Sequence, residues 1–168
     1  MMLLRHLFSI AALPVMVTLA VPVWLAERNA THFAIGASLL EMLTQIAGMF
    51  LLAIGFFLFA SSLRRFATEG NGTLAPWDPP RRLVLHGPYR YVRNPMISGV
   101  IIFLFGEALV LLSKPHLEWA LIFLVANFIY IPILEEPQLK RRFGGDYVEY
   151  CRNVPRLIPR LRPWHSAD

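Results

Sequence analysis

Residues 72–99, GTLAPWDPPRRLVLHGPYRYVRNPMISG, form the longest polar stretch between apolar blocks, and their end leads directly into one of those blocks. Asn94 is a favourable residue to precede a helix. Pro95 suits the first helical position, because the N–H group that proline lacks would have no helical partner there. From Met96 the sequence is apolar, which predicts that a membrane helix begins here. Its first-turn N–H groups, beside the cation Arg93, favour an anion. An interfacial arginine next to a capped helix is the simpler interpretation of the same residues.

The composition indicates a membrane protein. Hydrophobic residues make up 56% of the 168 positions, which is more than an ordinary soluble domain contains. The net charge is +5, and 13 of the 16 Lys and Arg residues fall in two segments, 63–95 and 135–168. This localisation is typical of cytoplasmic loops, and with no zinc-finger pattern or aromatic-interleaved basic groove it argues against nucleic-acid binding. A single cysteine, Cys151, excludes an internal disulfide, and the histidines lack metal-ligand spacing.

The distribution of apolar residues predicts an all-α, polytopic membrane protein that forms a single domain over residues 1–168. About four transmembrane helices are expected, at 7–26, 42–63, 96–113 and 117–134. Residues 114–118 are expected to form a tight turn, and Gly48 and Gly55 to permit close helix contact.

The charges predict an orientation for these helices. The polar segments 64–95 and 135–168 are strongly basic, whereas Arg28 and Lys114 are the only Lys or Arg residues in the links 27–41 and 114–118. The positive-inside rule therefore places both termini and both polar segments in the cytoplasm, with a bacterial inner membrane as the expected location. Because the third and fourth helices form a hairpin, Asn94 and Glu135 should return to the same interface as neighbours.

The acid pair Glu135-Glu136 stands where the fourth apolar segment ends. Carboxylates are disfavoured at the C-terminal end of a helix by the helix dipole, and this local conflict favours a functional role. The alternative is that both end the helix in water, with salt bridges to Lys140, Arg141 or Arg142. Together with Tyr89 and Arg93 the pair would suit a zwitterionic cofactor such as S-adenosylmethionine.

The remaining chain is divided by Gly144-Gly145, and prolines 155, 159 and 163 predict an extended arm. Arg156, Arg160 and Arg162 on this arm are interpreted as contacts to anionic lipid. Glu107 lies about 11 residues into the third helix, about 17 Å deep at about 1.5 Å per residue. Packing against Asn127 or Gln45 is its expected role.

HGPYRYVRNP at 86–95, followed by EEPQLKRRFGGDYVEYCRNVPRLIPR at 135–160, resembles the isoprenylcysteine carboxyl methyltransferase family and its bacterial relatives. Phospholipid N-methyltransferases share a related pattern. The resemblance implies a membrane methyltransferase whose cofactor is S-adenosylmethionine and whose site is formed by the C-terminal hairpin, the cytoplasmic loop and the arm. It implies Arg93, Glu135 and Glu136 as catalytic residues and no metal. The implied cofactor-binding residues are Arg81, Arg82, Leu83, Val84, His86, Tyr89, Arg93, Asn94, Pro95, Met96, Glu135 and Glu136.

The resemblance carries over less well to the acceptor. Eukaryotic members have Arg-His-Pro-x-Tyr where this chain has Arg93-Asn94-Pro95-Met96-Ile97, and an arginine for the substrate carboxylate falls at about Ile131. The expected acceptor is a lipophilic or lipid-modified molecule that approaches from the membrane lipids. A phospholipid amine or a small thiol remains open, as does O-, N- or S-methylation. A sterol-reductase-like oxidoreductase using NADPH and a non-catalytic membrane adaptor are the alternatives from other classes.

Overall fold

The computed structural model describes residues 11–70 and 82–165, and within these ranges all regular structure is helical. The predicted all-α class is therefore confirmed for the described part of the chain. A π-helical segment, Ala11–Ala20, continues into α1, Val21–Arg28, and α2 covers Leu39–Glu69. A 3₁₀ turn at Gly87–Arg90 precedes α3, Pro95–Val110. Helix α4, Lys114–Tyr130, passes through the π-helical turn Ile131–Glu135 into α5, Glu136–Asn153.

Two helical runs are long and apolar enough to cross a membrane: Leu39–Glu69 and the continuous run Lys114–Asn153, whose uninterrupted apolar part ends at Leu134. Helix α3 is apolar but shorter. Large apolar side chains such as Phe50 and Phe57 on α2 and Phe128 on α4 are exposed, which suits a surface covered by lipid rather than by water. The number of four spans remains a prediction.

The start of α3 at Pro95 agrees with the sequence, whereas the predicted turn at 114–118 is wrong. The turn lies at residues 111–113, where Leu112 has a φ of 48°, and α4 already begins at Lys114. Pro115 therefore stands in the first turn of a helix, where its missing N–H group costs nothing. The backbone N–H of Leu117 donates to the Ser113 carbonyl at 3.1 Å and closes this first turn.

The chain folds as two compact units. The first comprises Met1–Phe57 and Gly99–Val125, and the second comprises Leu58–Ser98 and Ala126–Asp168.

In the first unit, α2 and α3 approach each other through glycines, as Gly48 and Gly55 predict. A Cβ atom at Gly48 would lie 2.9 Å from the Gly106 carbonyl oxygen, and one at Gly55 would lie 2.7 Å from that of Gly99. The Gln45 side chain joins the two helices further along, since its Nε2 donates to the carbonyls of Ala34 at 2.7 Å and Val110 at 3.0 Å. Small residues thus bring the backbones together, and an amide fixes their register.

Two other polar side chains of the first unit have different surroundings. His116 is buried, and its Nε2 donates to the Pro22 carbonyl at 3.1 Å while its Nδ1 lies 2.8 Å from the Ser113 hydroxyl. Glu107 has a buried Oε2 without a hydrogen-bond partner among the described residues. The hydrogen bonds found for Gln45 go to backbone groups, so they do not include the predicted contact with Glu107.

The second unit has a small core of its own. Tyr147, Tyr150 and Val154 are almost completely buried, and smaller contributions come from the loop before α3, from α5 and from the C-terminal segment: Leu83, Leu85, Leu139, Phe143, Cys151 and Trp164. Helix α5 bends at Gly144, which has a φ of 57° that favours glycine, as the predicted break at Gly144-Gly145 requires. After Asn153 the chain continues without regular helix, in agreement with its prolines.

The glycine contact between α2 and α3 predicts that Gly106→Ala destabilises the protein by about 1–3 kcal/mol, because the added methyl group would overlap the backbone of Leu52 at 2.7 Å. The matched control is Gly145→Ala, where no atom lies within 4 Å and alanine gains up to about 1 kcal/mol over glycine in a helix. Thermal unfolding in detergent measures both variants. Equal stability of the two would contradict the close contact.

Candidate functional site

Backbone hydrogen bonds hold the C-terminal segment against the residues that precede α3. The N–H groups of Arg93 and Asn94 donate to the carbonyls of Pro155 at 2.8 Å and Arg156 at 3.2 Å. Further along, the Arg160 N–H donates to the Tyr91 carbonyl at 2.9 Å. We call residues 154–165 the arm. Because both segments lack regular structure, these bonds satisfy backbone groups that a helix would otherwise pair.

The arm contacts also change the role expected for Asn94. This residue directly precedes α3, but its side-chain Nδ2 donates to the Arg156 carbonyl at 3.4 Å and forms no cap with the helix in the described contacts. One turn later, the Ser98 hydroxyl donates to the Leu157 carbonyl at 3.1 Å. Protein carbonyls, rather than an anion, thus accept the N–H groups immediately before α3.

Glu136 is the centre of the charged network in the second unit. Its Oε1 lies 3.0 Å from Arg93 Nη1, and Arg156 donates to both carboxylate oxygens, from Nε at 2.7 Å and from Nη2 at 3.0 Å. The Glu136 and Arg93 side chains are only 8% and 10% exposed. A buried carboxylate with a bidentate arginine forms strong, charge-assisted hydrogen bonds, and removing one partner leaves an uncompensated buried charge.

These partners determine the charge state of Glu136. Burial by itself raises the pKa of the Glu136 carboxyl, but the hydrogen bonds from Arg156 and the charge of Arg93 outweigh burial and hold that pKa below its ordinary value. The hydrogen bond to Glu136 in turn raises the pKa of the Arg156 guanidinium. Both groups are therefore charged at neutral pH, and the carboxylate of Glu136 is already occupied.

Glu135, the other half of the acid pair, has a different environment. No ion pair of its carboxylate is found among the described residues. Burial and then the neighbouring charge of Glu136 raise the pKa of Glu135 to about 7. One carboxylate of the pair is thus neutralised by arginines, while the other lacks a cation and is partly protonated near neutral pH.

Two donors beside this pair have no acceptor in the described structure: the Tyr89 hydroxyl and the Nε–H of Arg93, both buried. Burial, with smaller contributions from Tyr150 and Glu135, raises the pKa of Tyr89, so its hydroxyl keeps its proton. The backbone of Tyr89 is fixed from the other side, since the Tyr150 hydroxyl donates to its carbonyl at 2.6 Å. Buried polar atoms without partners are uncommon and indicate either strain or a ligand.

The structure brings together part of the predicted site. Tyr89, Arg93, Asn94, Glu135 and Glu136 all belong to the second unit. Arg93, Asn94 and Glu136 are linked by the contacts to one another and to the arm, Tyr89 is held by Tyr150, and Glu135 adjoins Glu136 in sequence. Leu83 packs against the tyrosine core, and Val84 and Pro95 are buried.

The other predicted residues are not joined to this network by the contacts found. His86 pairs with Glu69, its Nδ1 lying 2.9 Å from Oε2, and Arg82 is exposed with its N–H directed to the Gly70 carbonyl. Met96 is half-buried in the first turn of α3, and Arg81 lies outside the described residues.

Sequence reasoning missed three residues that hold the site: Arg156, Tyr150, and Cys151, whose Sγ accepts a hydrogen bond from Arg93 Nη1 at 2.6 Å. The interpretation of Arg156 as a lipid contact is wrong, because its guanidinium is engaged by Glu136. The alternative that Glu136 forms salt bridges to Lys140, Arg141 or Arg142 is not what the described ion pairs show. The sequence offers only a general signal, since a carboxylate next to an apolar segment favours a cation, and it does not indicate which of the basic residues that cation is.

The comparisons with known proteins identify the family. The family model described as "Phospholipid methyltransferase" matches residues 43–146, which include α2, α3, α4 and the acid pair. The chain belongs to this family. The predicted family resemblance is thus confirmed.

Three curated relatives carry methyltransferase names. Methanethiol S-methyltransferase 2 of Bradyrhizobium diazoefficiens is 31% identical over 150 residues, 88% of this chain and 53% of the relative. Protein-S-isoprenylcysteine O-methyltransferase B of Arabidopsis thaliana is 38% identical over 79 residues, 46% of this chain and 40% of the relative. Phosphatidylethanolamine N-methyltransferase 1 of Vanderwaltozyma polyspora is 29% identical over 77 residues, which cover 45% of this chain and 9% of the relative. The chain thus spans about half of the first relative's length and less of the other two.

The Glu136 network predicts that Arg156→Ala destabilises the protein by about 1–3 kcal/mol, because it leaves a buried carboxylate with one cation and releases the arm. Arg162→Ala is the matched control, since Arg162 is exposed on the same arm and its loss should cost less than about 0.5 kcal/mol. Thermal unfolding and hydrogen exchange of the arm amides measure the effect. Equal losses for the two variants would contradict the proposed network.

The two carboxylates predict opposite pH dependences. The pKa of Glu135 is raised, so its contribution to the free energy of unfolding is complete below about pH 4.5. As the pH rises to about 7, this contribution of roughly 3 kcal/mol is lost. The pKa of Glu136 is lowered, so its contribution is present above 4.5 and is lost at lower pH. Thermal unfolding across this range should therefore show a falling component that Glu135→Gln removes, while Glu136→Gln lowers stability at neutral pH. An unchanged profile in Glu135→Gln would contradict the assignment.

Proposed function

We propose that this protein is an integral membrane methyltransferase that uses S-adenosylmethionine to methylate a lipophilic acceptor at the cytoplasmic face of the membrane. The family assignment and the methyltransferase names of the relatives support the reaction class. One observation supports the site: half-buried Glu135, which has no ion pair among the described residues, adjoins Glu136, and two buried donors of the same unit, the Tyr89 hydroxyl and the Arg93 Nε–H, have no acceptor there.

The residues of this network fit the cofactor chemically. S-adenosylmethionine presents an ammonium and a sulfonium, a carboxylate and ribose hydroxyls. Glu135 would receive a cationic group or a ribose hydroxyl, and the Tyr89 hydroxyl and Arg93 Nε–H would donate to the carboxylate or to ribose oxygens. Arg82, Leu83, Val84, His86, Asn94, Pro95 and Met96 are assigned to the same binding region, with Arg81 from outside the described residues.

When bound, S-adenosylmethionine would supply a methyl group on a positively charged sulfur for transfer to the acceptor, leaving S-adenosylhomocysteine as the second product. The protein's part is positioning and electrostatics. Glu136 fixes Arg93 and, through Arg156, the arm, so we assign it a positioning role. Glu135 balances the cationic charge. For an acceptor that must lose a proton, such as a thiol or an ammonium group, the Glu135 carboxylate is the base that would receive it.

The placement in the membrane belongs to the same proposal. Four spans, at about 7–26, 42–63, 96–113 and 117–134, would put both termini and the basic segments on the cytoplasmic side of a bacterial inner membrane. This agrees with the concentration of Lys and Arg in 63–95 and 135–168. The acid pair directly follows Leu134, so the reacting groups would lie at the membrane boundary, within reach of a lipophilic acceptor.

A small thiol is a second candidate acceptor. The methanethiol S-methyltransferase alignment extends over 88% of this chain, about twice the share of the other two alignments. In addition, Ile131 stands where the resemblance places an arginine for a substrate carboxylate, and it is fully buried.

Binding of S-adenosylhomocysteine tests the site. We expect Glu135→Gln to weaken this binding by about 10–100-fold, equivalent to about 1.4–2.8 kcal/mol, without loss of thermal stability. Glu118→Gln, an exposed carboxylate of the first unit, is the matched control and should bind as the parent does. Isothermal titration of the detergent-purified protein with S-adenosylhomocysteine and NADPH measures both. Binding of NADPH alone would refute the methyltransferase and favour the oxidoreductase.

The acceptor is identified by comparing a prenylcysteine analogue, phosphatidylethanolamine and a simple alkyl thiol with the same labelled methyl donor. We expect methylation of at least one lipophilic acceptor, with Glu135→Gln slowing thiol or amine acceptors more than a carboxylate acceptor. Methylation of the prenylcysteine carboxylate alone would eliminate the thiol candidate. Cofactor binding with no methylation of any of the three would contradict the proposed acceptor class.

A further inference from the structure

The arm carries two large apolar side chains that the protein itself does not cover. Ile158 is 81% exposed and Leu161 is 99% exposed. Exposed apolar residues are ordinary on membrane-spanning helices, but the arm is a basic segment outside the helices. Exposed side chains of this size, in a segment whose backbone is fixed by hydrogen bonds, indicate a surface that is covered by something else.

The level of the arm follows from its contacts with α3. The arm carbonyls of Arg156 and Leu157 accept hydrogen bonds from Asn94 and Ser98, so this part of the arm lies beside the first turn of an apolar helix. Ile158 is the next residue. If α3 enters the membrane at Met96, as proposed above, the arm lies where the lipid headgroups meet the acyl chains.

The charge of the arm suits the same position. Residues 150–165 contain Arg152, Arg156, Arg160 and Arg162 and no acidic residue. Arg156 is engaged by Glu136, and Arg160 Nη1 donates to the Asn153 carbonyl at 2.7 Å, whereas the Arg162 side chain is exposed beside Leu161. Alternating arginine and apolar residues favour an anionic membrane surface, where the apolar side chains enter the lipid and the guanidinium groups remain with the phosphates.

We propose that the arm is an interfacial anchor: Ile158 and Leu161 insert between the lipids at the headgroup boundary, and Arg162 contacts anionic headgroups. The arm is also the segment whose Arg156 holds Glu136. Ile158, which would contact the lipid, therefore lies only two positions along the chain from Arg156, which pairs with Glu136. This inference rests on the proposed membrane placement of α3 and does not depend on the reaction.

Tryptophan variants of the full chain test the anchor in nanodiscs that contain phosphatidylglycerol and lipids brominated near the headgroup. The emission added by Leu161→Trp over the parent should be quenched roughly twofold more strongly than that added by Glu149→Trp, an exposed polar position on α5. Leu161 is almost fully exposed, so the substitution leaves the fold intact. Phe105→Trp, nine residues past Met96 in the apolar helix α3 and so about 14 Å deep at about 1.5 Å per residue, reports the membrane placement itself in matching nanodiscs whose lipids are brominated deep in the acyl chains.

Three outcomes separate the possibilities. Quenching of Leu161→Trp and Phe105→Trp but not of Glu149→Trp supports the anchor. Quenching of Phe105→Trp alone overturns the anchor and leaves the membrane placement intact. No quenching of Phe105→Trp refutes the placement on which both proposals rest. In nanodiscs of phosphatidylcholine the Leu161→Trp quenching should weaken, and unchanged quenching would overturn the role of anionic lipid.

Discussion

A carboxylate that is buried directly after an apolar segment is stable only when cations offset its charge. Glu136 pairs with two, which come from different parts of the chain. Arg93 comes from the segment before α3, and Arg156 comes from the arm. Neither arginine is a neighbour of Glu136 in sequence. The ion pairs therefore fix three segments of the second unit at once, and the backbone bonds from Arg93 and Asn94 to the arm follow the same path. Loss of Glu136 leaves both arginines without their carboxylate, and loss of either arginine leaves the buried carboxylate with one cation.

This arrangement has a consequence for the adjacent carboxylate. With Arg93 and Arg156 engaged by Glu136, half-buried Glu135 has no ion pair among the described residues, and desolvation, followed by the charge of Glu136, raises its pKa to about 7. Such a group is unfavourable for stability and favourable for binding, because a cationic ligand would remove the penalty. The proposed methyl donor brings a positive charge to this place. The Tyr89 hydroxyl and the Arg93 Nε–H, which have no acceptor among the described residues, likewise lower the stability of the free protein and favour binding of a ligand that accepts from them.

The sequence predicts the helices better than the site. The apolar run and Pro95 locate the start of α3, because the preference of proline for the first helical position acts locally, whereas the helix ends at Val110 rather than at 113. The turn before α4 was misplaced by a few residues, since a proline in the first turn of a helix resembles a proline in a loop. The acid pair and Arg93 were found because both border apolar segments. The helix end expected at Leu134 was wrong, since the helical run continues through the acid pair into α5. Arg156 was missed because a pairing 20 residues away along the chain depends on the path of the arm, which local preferences do not determine. The different roles of Glu135 and Glu136 depend on that same pairing.

The central claim is that Glu136 is held by arginines while Glu135 is kept for the cofactor. Infrared difference spectroscopy on adding S-adenosylmethionine tests this directly, at a pH just below the Glu135 pKa of about 7. We predict that binding removes a protonated-carboxyl band as Glu135 ionises beside the positive charge. The same change should persist in Glu136→Gln and disappear in Glu135→Gln. A band change that survives in Glu135→Gln, or that is absent from the parent protein despite cofactor binding, would contradict the account.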